Sequence, residues 1–293
     1  MKTVFRFLTL AACSVLFTSC IQHSTVLRLE KDGSGEIFVR NYFSPSIAAM
    51  AGGLGGALGG EGEGAGEVTI NGSADPAKVD VDQAKADAAN YGEGVRYVRH
   101  EEGKNKEQWD GHLIVYEFDD INKVVLDANS AMGGKMKEMA EAQGQAVEEQ
   151  EGGKMTFAHA DGVLKIKTGM GEDALKQFQE GGGPGGDQQL PDGMKPSAMM
   201  GMMSGMLQGM RMGYFIRING GIAESNASHV NGEYITLMDV EVSKMLADPE
   251  FLAFVDKSAE DPESVTEEEV KALLPQVEAM KAEIKEEVTV KFK

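Results

Sequence analysis

The sequence predicts an α+β protein with a largely antiparallel sheet of hairpins, packed helices and Gly/Met-rich low-complexity insertions. Two observations carry this prediction. Short apolar or alternating runs flank Asp-Gly and Asn-Gly turns, which favour β-hairpins. Helix-forming stretches lie between groups of these hairpins rather than after every strand, which is typical of α+β proteins.

Three hairpins are predicted between residues 25 and 167. Residues 25–30 and 36–43 flank a turn that contains Asp32-Gly33, and residues 154–159 and 163–167 flank Asp161-Gly162. Residues 95–101 and 108–118 form the remaining hairpin. Its second strand has apolar residues at consecutive positions, so both of its faces are apolar and we expect it in the middle of a sheet. Further strands are predicted at 213–218, 222–227, 234–240 and 288–292.

Helices are predicted where apolar residues recur every three or four positions. They cover residues 45–58, 75–90, 172–180, 197–210, 241–246 and 250–255. Thr266 and Glu269 have the spacing of a capping box, which opens a last helix. We expect that helix to continue past Pro275 with a kink, because Val270, Leu273, Leu274, Val277 and Ile284 fall on one stripe.

Composition divides the chain into segments. Residues 1–19 are a signal peptide and 20–50 a lipid-anchored N-terminus with the first hairpin. Residues 51–67 are a Gly-rich acidic linker, and 181–196 are a Gly/Pro linker. The α+β domain takes its first part from residues 68–180 and its second part, with the Met-rich helix, from 197–293.

The N-terminus begins with Lys2 and Arg6 and continues as a short apolar run, the plan of a secretory signal peptide. It ends in Leu16-Phe17-Thr18-Ser19-Cys20, which resembles the lipobox of bacterial lipoproteins, although those usually have Leu where Phe17 stands. The resemblance implies that Cys20 is diacylated and becomes the mature N-terminus. Ile21, in place of the aspartate that retains lipoproteins in the inner membrane, implies the outer membrane. The alternatives are an ordinary signal peptide that contains a cysteine, or an uncleaved anchor.

Charge and cysteine content exclude several classes of function. Removal of the leader takes away Lys2, Arg6 and Cys13, so the formal charge moves from -19 to -21 and Cys20 is the last thiol. With its thiol acylated, the mature chain has none for a disulfide, a metal or a nucleophile. The negative charge repels phosphate backbones, which excludes nucleic acid as a main partner.

Catalytic signals are weak. The five histidines are scattered through the sequence, without a metal-ligand spacing, and the sequence has neither a phosphate loop nor a dinucleotide fingerprint. We therefore expect no enzyme activity and no cofactor.

Methionines are concentrated at the predicted helix 197–210. Soft thioethers bind Cu(I), and the side chains that would do so are Met199, Met202, Met203, Met206 and Met210. The alternative is packing in the core or against a partner, since methionine is an adaptable apolar filler.

Glycines recur every fourth residue at Gly201, Gly205, Gly209 and Gly213, and again at Gly52, Gly56, Gly60 and Gly64. On helices such strips allow close packing, and we consider that the two segments pack on each other or associate in a membrane. The alternative is that they are loosely ordered low-complexity cover.

Turn motifs around Gly92-Glu93-Gly94-Val95 and Asn219-Gly220-Gly221-Ile222 are similar to those of bacterial envelope lipoproteins. Together with the lipobox and the Asp-Gly-Ser-Gly hairpin, their order resembles LppM-type lipoprotein domains. The resemblance implies a shared fold and an envelope-related or lipid-related binding role, without catalytic residues.

The sequence thus predicts a non-enzymatic binding or scaffold module, anchored by lipid and facing the periplasm from the outer membrane. Its partners are the membrane, through the anchor, and an envelope protein or lipid. Two alternatives stay open. One is a carrier of an apolar ligand or lipid in a cleft between the sheet and the Met-rich helix, and the other is a Cu(I)-binding protein.

Overall fold

The structure, a computed structural model, describes residues 21–45, 75, 77–127, 153–169, 195–261 and 264–293, with only the backbone for Met202, Met203, Gly205, Met206 and Glu267. It contains two sheets that are mostly antiparallel, with short helices, and this confirms the predicted α+β class. Within the described ranges, no helix combines the length and hydropathy needed to cross a membrane.

The large sheet has eight strands. Seven of them run in the order β10-β11-β8-β1-β2-β4-β3, and β12 pairs with β11. Their bounds are β1 (Ile21–Leu29), β2 (Gly35–Phe43), β3 (Arg96–Lys104), β4 (Asp110–Phe118), β8 (Arg211–Ile218), β10 (Val230–Asn231), β11 (Tyr234–Glu241) and β12 (Met280–Ala282). The predicted first two hairpins are confirmed, and β4 lies between β2 and β3, as its two apolar faces predict.

The small sheet has five strands in the order β5-β6-β7-β13-β9. Their bounds are β5 (Val125–Asp127), β6 (Lys154–Ala160), β7 (Val163–Lys167), β9 (Ile222–Ser225) and β13 (Glu287–Phe292). The hairpin at Asp161-Gly162 is confirmed, and Asp161 adopts a positive φ of 52° there. In the large sheet β1 pairs with β8 in parallel, and in the small sheet β7 pairs with β13 antiparallel, so strands far apart in the sequence lie side by side in each sheet.

The core lies between the two sheets. Alternate residues of the large sheet point inward, among them Leu27, Ile37, Ile114 and Ile216, and they belong to one buried cluster with Leu164 and Val288 of the small sheet. Burial of apolar surface at about 25 cal/mol per Å² is the main stabilising contribution here. The opposite face of the large sheet is outside this core.

The helices of the described residues are α1 (Val81–Asp87), α2 (Pro196–Met206), α3 (Val242–Met245), α4 (Pro249–Glu260) and α5 (Glu267–Leu273), with 3-10 turns at Ala88–Tyr91 and Ile121–Lys123. The predicted helix 75–90 is therefore too long. Asp80 caps the helix instead, since its side chain accepts from the backbone N–H groups of Asp82 and Gln83.

The last helix also differs from the prediction. Thr266 and Glu269 form the predicted capping box, but α5 ends at Leu273 and does not continue through Pro275. The chain returns to the large sheet as β12, so the predicted helical stripe that reached Ile284 is wrong.

The Met-rich helix α2 is shorter than predicted and ends at Met206. Gly209 has a φ of 82° in the following turn, and Gly213 lies in β8. The four-residue glycine repeat therefore does not continue as one helical strip. Predictions for residues 1–20, 46–74, 128–152 and 170–194 lie outside the described residues, including the signal peptide, Cys20, both linkers and helix 172–180.

Candidate functional site: the arginine face

The outward side of the large sheet carries all six described arginines. They are Arg28 on β1, Arg40 on β2, Arg96 and Arg99 on β3, and Arg211 and Arg217 on β8. Their outward position follows from the strand geometry. Each arginine either follows an inward-facing apolar residue in its own strand or lies opposite an outward-facing residue of the next strand. We call this surface the arginine face. It gathers these six arginines on one surface of a chain with a formal charge of -19.

Five of these arginines pair with carboxylates. Arg28 pairs with Glu36, Arg96 with Glu117 and Asp119, Arg99 with Glu101, Arg211 with Asp239, and Arg217 with Glu233. Among the described residues, no carboxylate lies within ion-pair distance of Arg40. Its guanidinium is therefore the one on this face with charge available for an outside anion.

Hydrogen bonds within these pairs stabilise their charged forms. The Arg96 guanidinium donates to Asp119 at 2.7 and 3.1 Å and holds the pKa of that carboxyl below its usual value of 3.8. The hydrogen bond to Asp239 likewise raises the pKa of Arg211, although burial opposes the shift. These guanidinium groups are engaged within the protein, in contrast to that of Arg40.

An apolar row crosses the middle of the arginine face. Phe215, Val26, Phe38 and Val115 lie side by side on β8, β1, β2 and β4. Val115 is fully buried, yet it lies outside the main core cluster between the sheets. The face therefore has a separate apolar cluster, which lies next to Arg40.

Aromatic rings shape the surface around Arg40. The guanidinium carbons of Arg28 and Arg40 lie 5.6 and 5.8 Å from the centroid of the Phe38 ring, within cation–π distance. The Phe215 ring occupies the space over Gly213, where a Cβ would lie 2.4 Å from its Cε2 atom. Glycine at this position is what allows the ring to lie along the strand.

The β3–β4 loop bounds this face near the start of β1. Asn105 donates from Nδ2 to Oε1 of Gln22 at 3.1 Å, and its Oδ1 accepts from the backbone N–H of Trp109 at 2.9 Å. Gln22 is two strands away from β4. The loop therefore reaches across the outward side of the sheet.

On the inward side, three polar residues form one cross-strand row. His23, Asn41 and His112 are paired residue to residue on β1, β2 and β4. Asn41 bonds His23 Nδ1 at 2.8 Å and His112 Nε2 at 3.3 Å, while Thr25 Oγ1 bonds His23 Nε2 at 3.1 Å. His23 and His112 are far apart in the sequence, and the strand pairing brings them into this row. The partners of these histidines include amide, hydroxyl and backbone carbonyl groups, so the row satisfies polar atoms on the inward side of the sheet.

A second polar cluster joins a hydroxyl, an amine and a carboxylate. Ser228 Oγ lies 2.9 Å from both Glu283 Oε1 and Lys285 Nζ, and Glu283 is fully buried. A lysine activates a serine by accepting its hydroxyl proton, so its amine must be neutral. Burial away from carboxylates favours the neutral amine. Lys285 is 44% exposed and 3.8 Å from the Glu283 carboxylate, so this geometry fits a structural cluster.

Four of the five methionines predicted as copper ligands, Met199, Met202, Met203 and Met206, lie on α2. Met210 packs against the core beyond the end of that helix, and Met200, next to Met199, is buried. The side chains of Met202, Met203 and Met206 are outside the described residues, so copper binding and the apolar-ligand cleft stay predictions. Within the described ranges, no three His, Cys, Asp or Glu side chains group as metal ligands.

Sequence reasoning missed the arginine face, although a signal was present. In the predicted strands, arginines occupy positions that alternate with inward apolar residues, as in Val39-Arg40 and Ile216-Arg217. Such a period of two places them on the outward side of each strand. The pairing of distant strands then brings them onto one surface.

The fold and this site together define a two-sheet α+β protein with an arginine-bearing outward face. The sequence matches no protein-family profile, and no curated protein is similar to it. Among solved structures it is similar to the folded domain of Mycobacterium tuberculosis LppM, determined by NMR, with 8% identity and a TM-score of 0.28. The match covers 75% of this chain and 82% of that one. LppM is also the type of lipoprotein domain that the turn motifs of this sequence resemble.

Proposed function

We propose that this protein is a lipid-anchored, non-enzymatic binding module of the bacterial cell envelope, with the arginine face as its binding surface. The observation that carries the proposal is Arg40, which has no carboxylate partner among the described residues while the other five arginines on the face are paired. A guanidinium in partly apolar surroundings gains from an oxyanion partner, which it binds through two parallel hydrogen bonds. The partner is therefore anionic at the point of contact.

The anchor part of the proposal rests on the lipobox-like sequence that ends at Cys20. β1 begins at the next residue, Ile21, and is the middle strand of the seven-strand order. An acyl chain on Cys20 would thus be joined to the centre of the sheet without a linker. Such a domain would lie directly at the surface of the membrane, and Ile21 after the cysteine supports the outer membrane.

Mass spectrometry of the protein purified from a bacterial host tests the anchor. We expect an N-terminus at Cys20 carrying a diacylglyceryl group, and loss of membrane association in Cys20→Ser. Cys13→Ser is the matched control, because that thiol lies in the leader and would leave acylation intact. An unmodified Cys20, or equal membrane retention of both variants, would contradict lipid anchoring.

A titration monitored by NMR tests the binding surface separately. Inorganic phosphate and acetate should shift the side-chain Nε–H resonance of Arg40 more than that of Arg99, which lies on the same face but pairs with Glu101. Equal shifts for both arginines would remove Arg40 as the contact point, whatever the state of Cys20.

A further inference from the structure

The arginine face has an arrangement more specific than a single cation: Arg40 lies between two aromatic rings. On one side, the Phe215 ring covers Gly213, which shares a cross-strand row with Ser24 and Arg40. On the other side, the Tyr42 ring lies against Gly111, where a Cβ would meet its Cδ1 atom at 2.5 Å. Both rings are partly exposed and lie outside the main core cluster.

Sheet geometry gives the spacing of these groups. Phe215 covers a position two strands from Arg40, roughly 10 Å away, because neighbouring strands are about 4.8 Å apart. Tyr42 covers a position one strand over and two residues along, roughly 8 Å from Arg40 on the same spacings. The two aromatic surfaces are therefore roughly 16 Å apart across three strand spacings, and Arg40 lies on a strand between them, with its guanidinium carbon 5.8 Å from the centroid of the Phe38 ring.

This arrangement selects a particular kind of anion. The negative face of an aromatic ring attracts the weakly positive C–H groups on the flat side of a sugar ring. The planar guanidinium pairs with a carboxylate through two hydrogen bonds, and the hydroxyl of Ser24, the cross-strand partner of Arg40, can donate or accept another. Rings at both ends with one cation between them fit a short run of linked sugars that includes an acidic residue.

Charge density argues against a single strand of nucleic acid, which also combines rings with negative charge. A single nucleic-acid strand carries a phosphate about every 3.4 Å, so its binding surfaces present many cations. The arginine face has one guanidinium without a carboxylate partner among its described residues, over the roughly 16 Å between its two rings. It therefore matches a polymer with widely spaced charges.

We infer that the arginine face binds an acidic oligosaccharide, with a carboxylate on Arg40 and sugar rings on Phe215 and Tyr42. This inference rests on the proposed binding role of the face and names its ligand class. It does not depend on acylation of Cys20.

Isothermal titration calorimetry of the full chain in detergent tests the inference with two tetrasaccharides. The acidic probe is a hyaluronan tetrasaccharide, in which every second ring carries a carboxylate, and the neutral probe is chitotetraose. We expect the acidic probe to bind about tenfold more tightly or better, as one charge-assisted contact implies. Arg40→Gln should remove this preference, whereas Arg99→Gln, which removes an equal charge on the same face, should retain it.

Arg40→Lys keeps the charge and the aliphatic stem but not the planar fork, so we expect it to fold like the wild type and bind with intermediate affinity. Tyr42→Ala should weaken both tetrasaccharides alike. Equal affinity for the two probes, or an equal loss in Arg40→Gln and Arg99→Gln, would overturn the inference.

Two further probes separate this ligand class from others. If phosphatidylglycerol vesicles or an eight-nucleotide thymidine strand bind through Arg40 while the acidic tetrasaccharide does not, the saccharide assignment fails and the anion-binding role of the face stands. If none of these anions responds to Arg40→Gln, both the assignment and the binding face fail.

Discussion

The buried carboxylate of Glu283 gives a sharp test of the packing between the loop after β9 and the segment that joins β12 to β13. The side chain is fully buried and accepts from the backbone N–H of Ser228 at 2.5 Å and that of Lys285 at 3.1 Å, and from the Ser228 hydroxyl at 2.9 Å. It thereby joins the loop after β9 to the segment between β12 and β13. Glu283→Gln keeps the size of the side chain but replaces one acceptor oxygen by a donor.

The expected cost follows from those contacts. In either amide orientation at least one donor loses its acceptor, and a hydrogen bond to a charged group contributes about 1.5–3 kcal/mol. Loss of the negative charge also removes the Lys285 partner at 3.8 Å. We therefore expect Glu283→Gln to lower the free energy of unfolding by about 2–4 kcal/mol.

Urea denaturation followed by circular dichroism measures this change as a shift of the midpoint at constant slope. Glu286→Gln is the matched control, because that side chain is exposed three residues further along and should change stability by less than about 0.5 kcal/mol. If the two variants unfold within about 0.5 kcal/mol of each other, the buried carboxylate is not stabilised as argued.

Three further predictions concern the helices and the arginine face. Asp256 on α4 accepts from the N–H and hydroxyl of Ser197 at the start of α2, so Asp256→Ala should cost about 1 kcal/mol in chemical denaturation. Burial opposes ionisation of Asp256, but these bonds keep its pKa below the usual 3.8. Its contribution should therefore be complete above pH 3.8 and disappear in melting curves as the pH falls through the lowered pKa. Thr266→Ala removes the capping box of α5 and should lower the free energy of unfolding by about 1 kcal/mol, with helical circular dichroism reduced. Gly213→Ala places a Cβ 2.4 Å from the Phe215 ring, which should destabilise by about 1–3 kcal/mol and change the NMR shifts of that ring, whereas unchanged shifts would contradict its placement.

Local sequence signals predicted the hairpins and several helix limits well. The turns at Asp32-Gly33 and Asp161-Gly162 need only neighbouring residues to adopt their positive φ values, so the flanking strands could be placed from the sequence. The capping box at Thr266 is equally local. Where two local signals competed, the prediction failed: Asp80 rather than the earlier Asp-Pro pair begins α1, and Pro275 prevents the last helix from continuing.

The candidate site was much less accessible from the sequence. Arg40 follows an inward apolar residue in a predicted strand, so its outward position could be derived. Its neighbours could not, because Gly213 and Phe215 reach the same surface only through the parallel pairing of β1 with β8. His23 and His112 show the same limit on the inward side, since β2 brings them into one row through Asn41.

The sequence by itself determined the α+β class, the hairpin turns and a chain with excess negative charge, because these depend on composition and on residues that are neighbours along the chain. Only the tertiary structure decided that five arginines are paired with carboxylates while Arg40 has no such partner among the described residues. The reason is physical: an ion pair or a stacked ring depends on distances of a few ångströms, and strand pairing sets those distances between residues far apart in the chain.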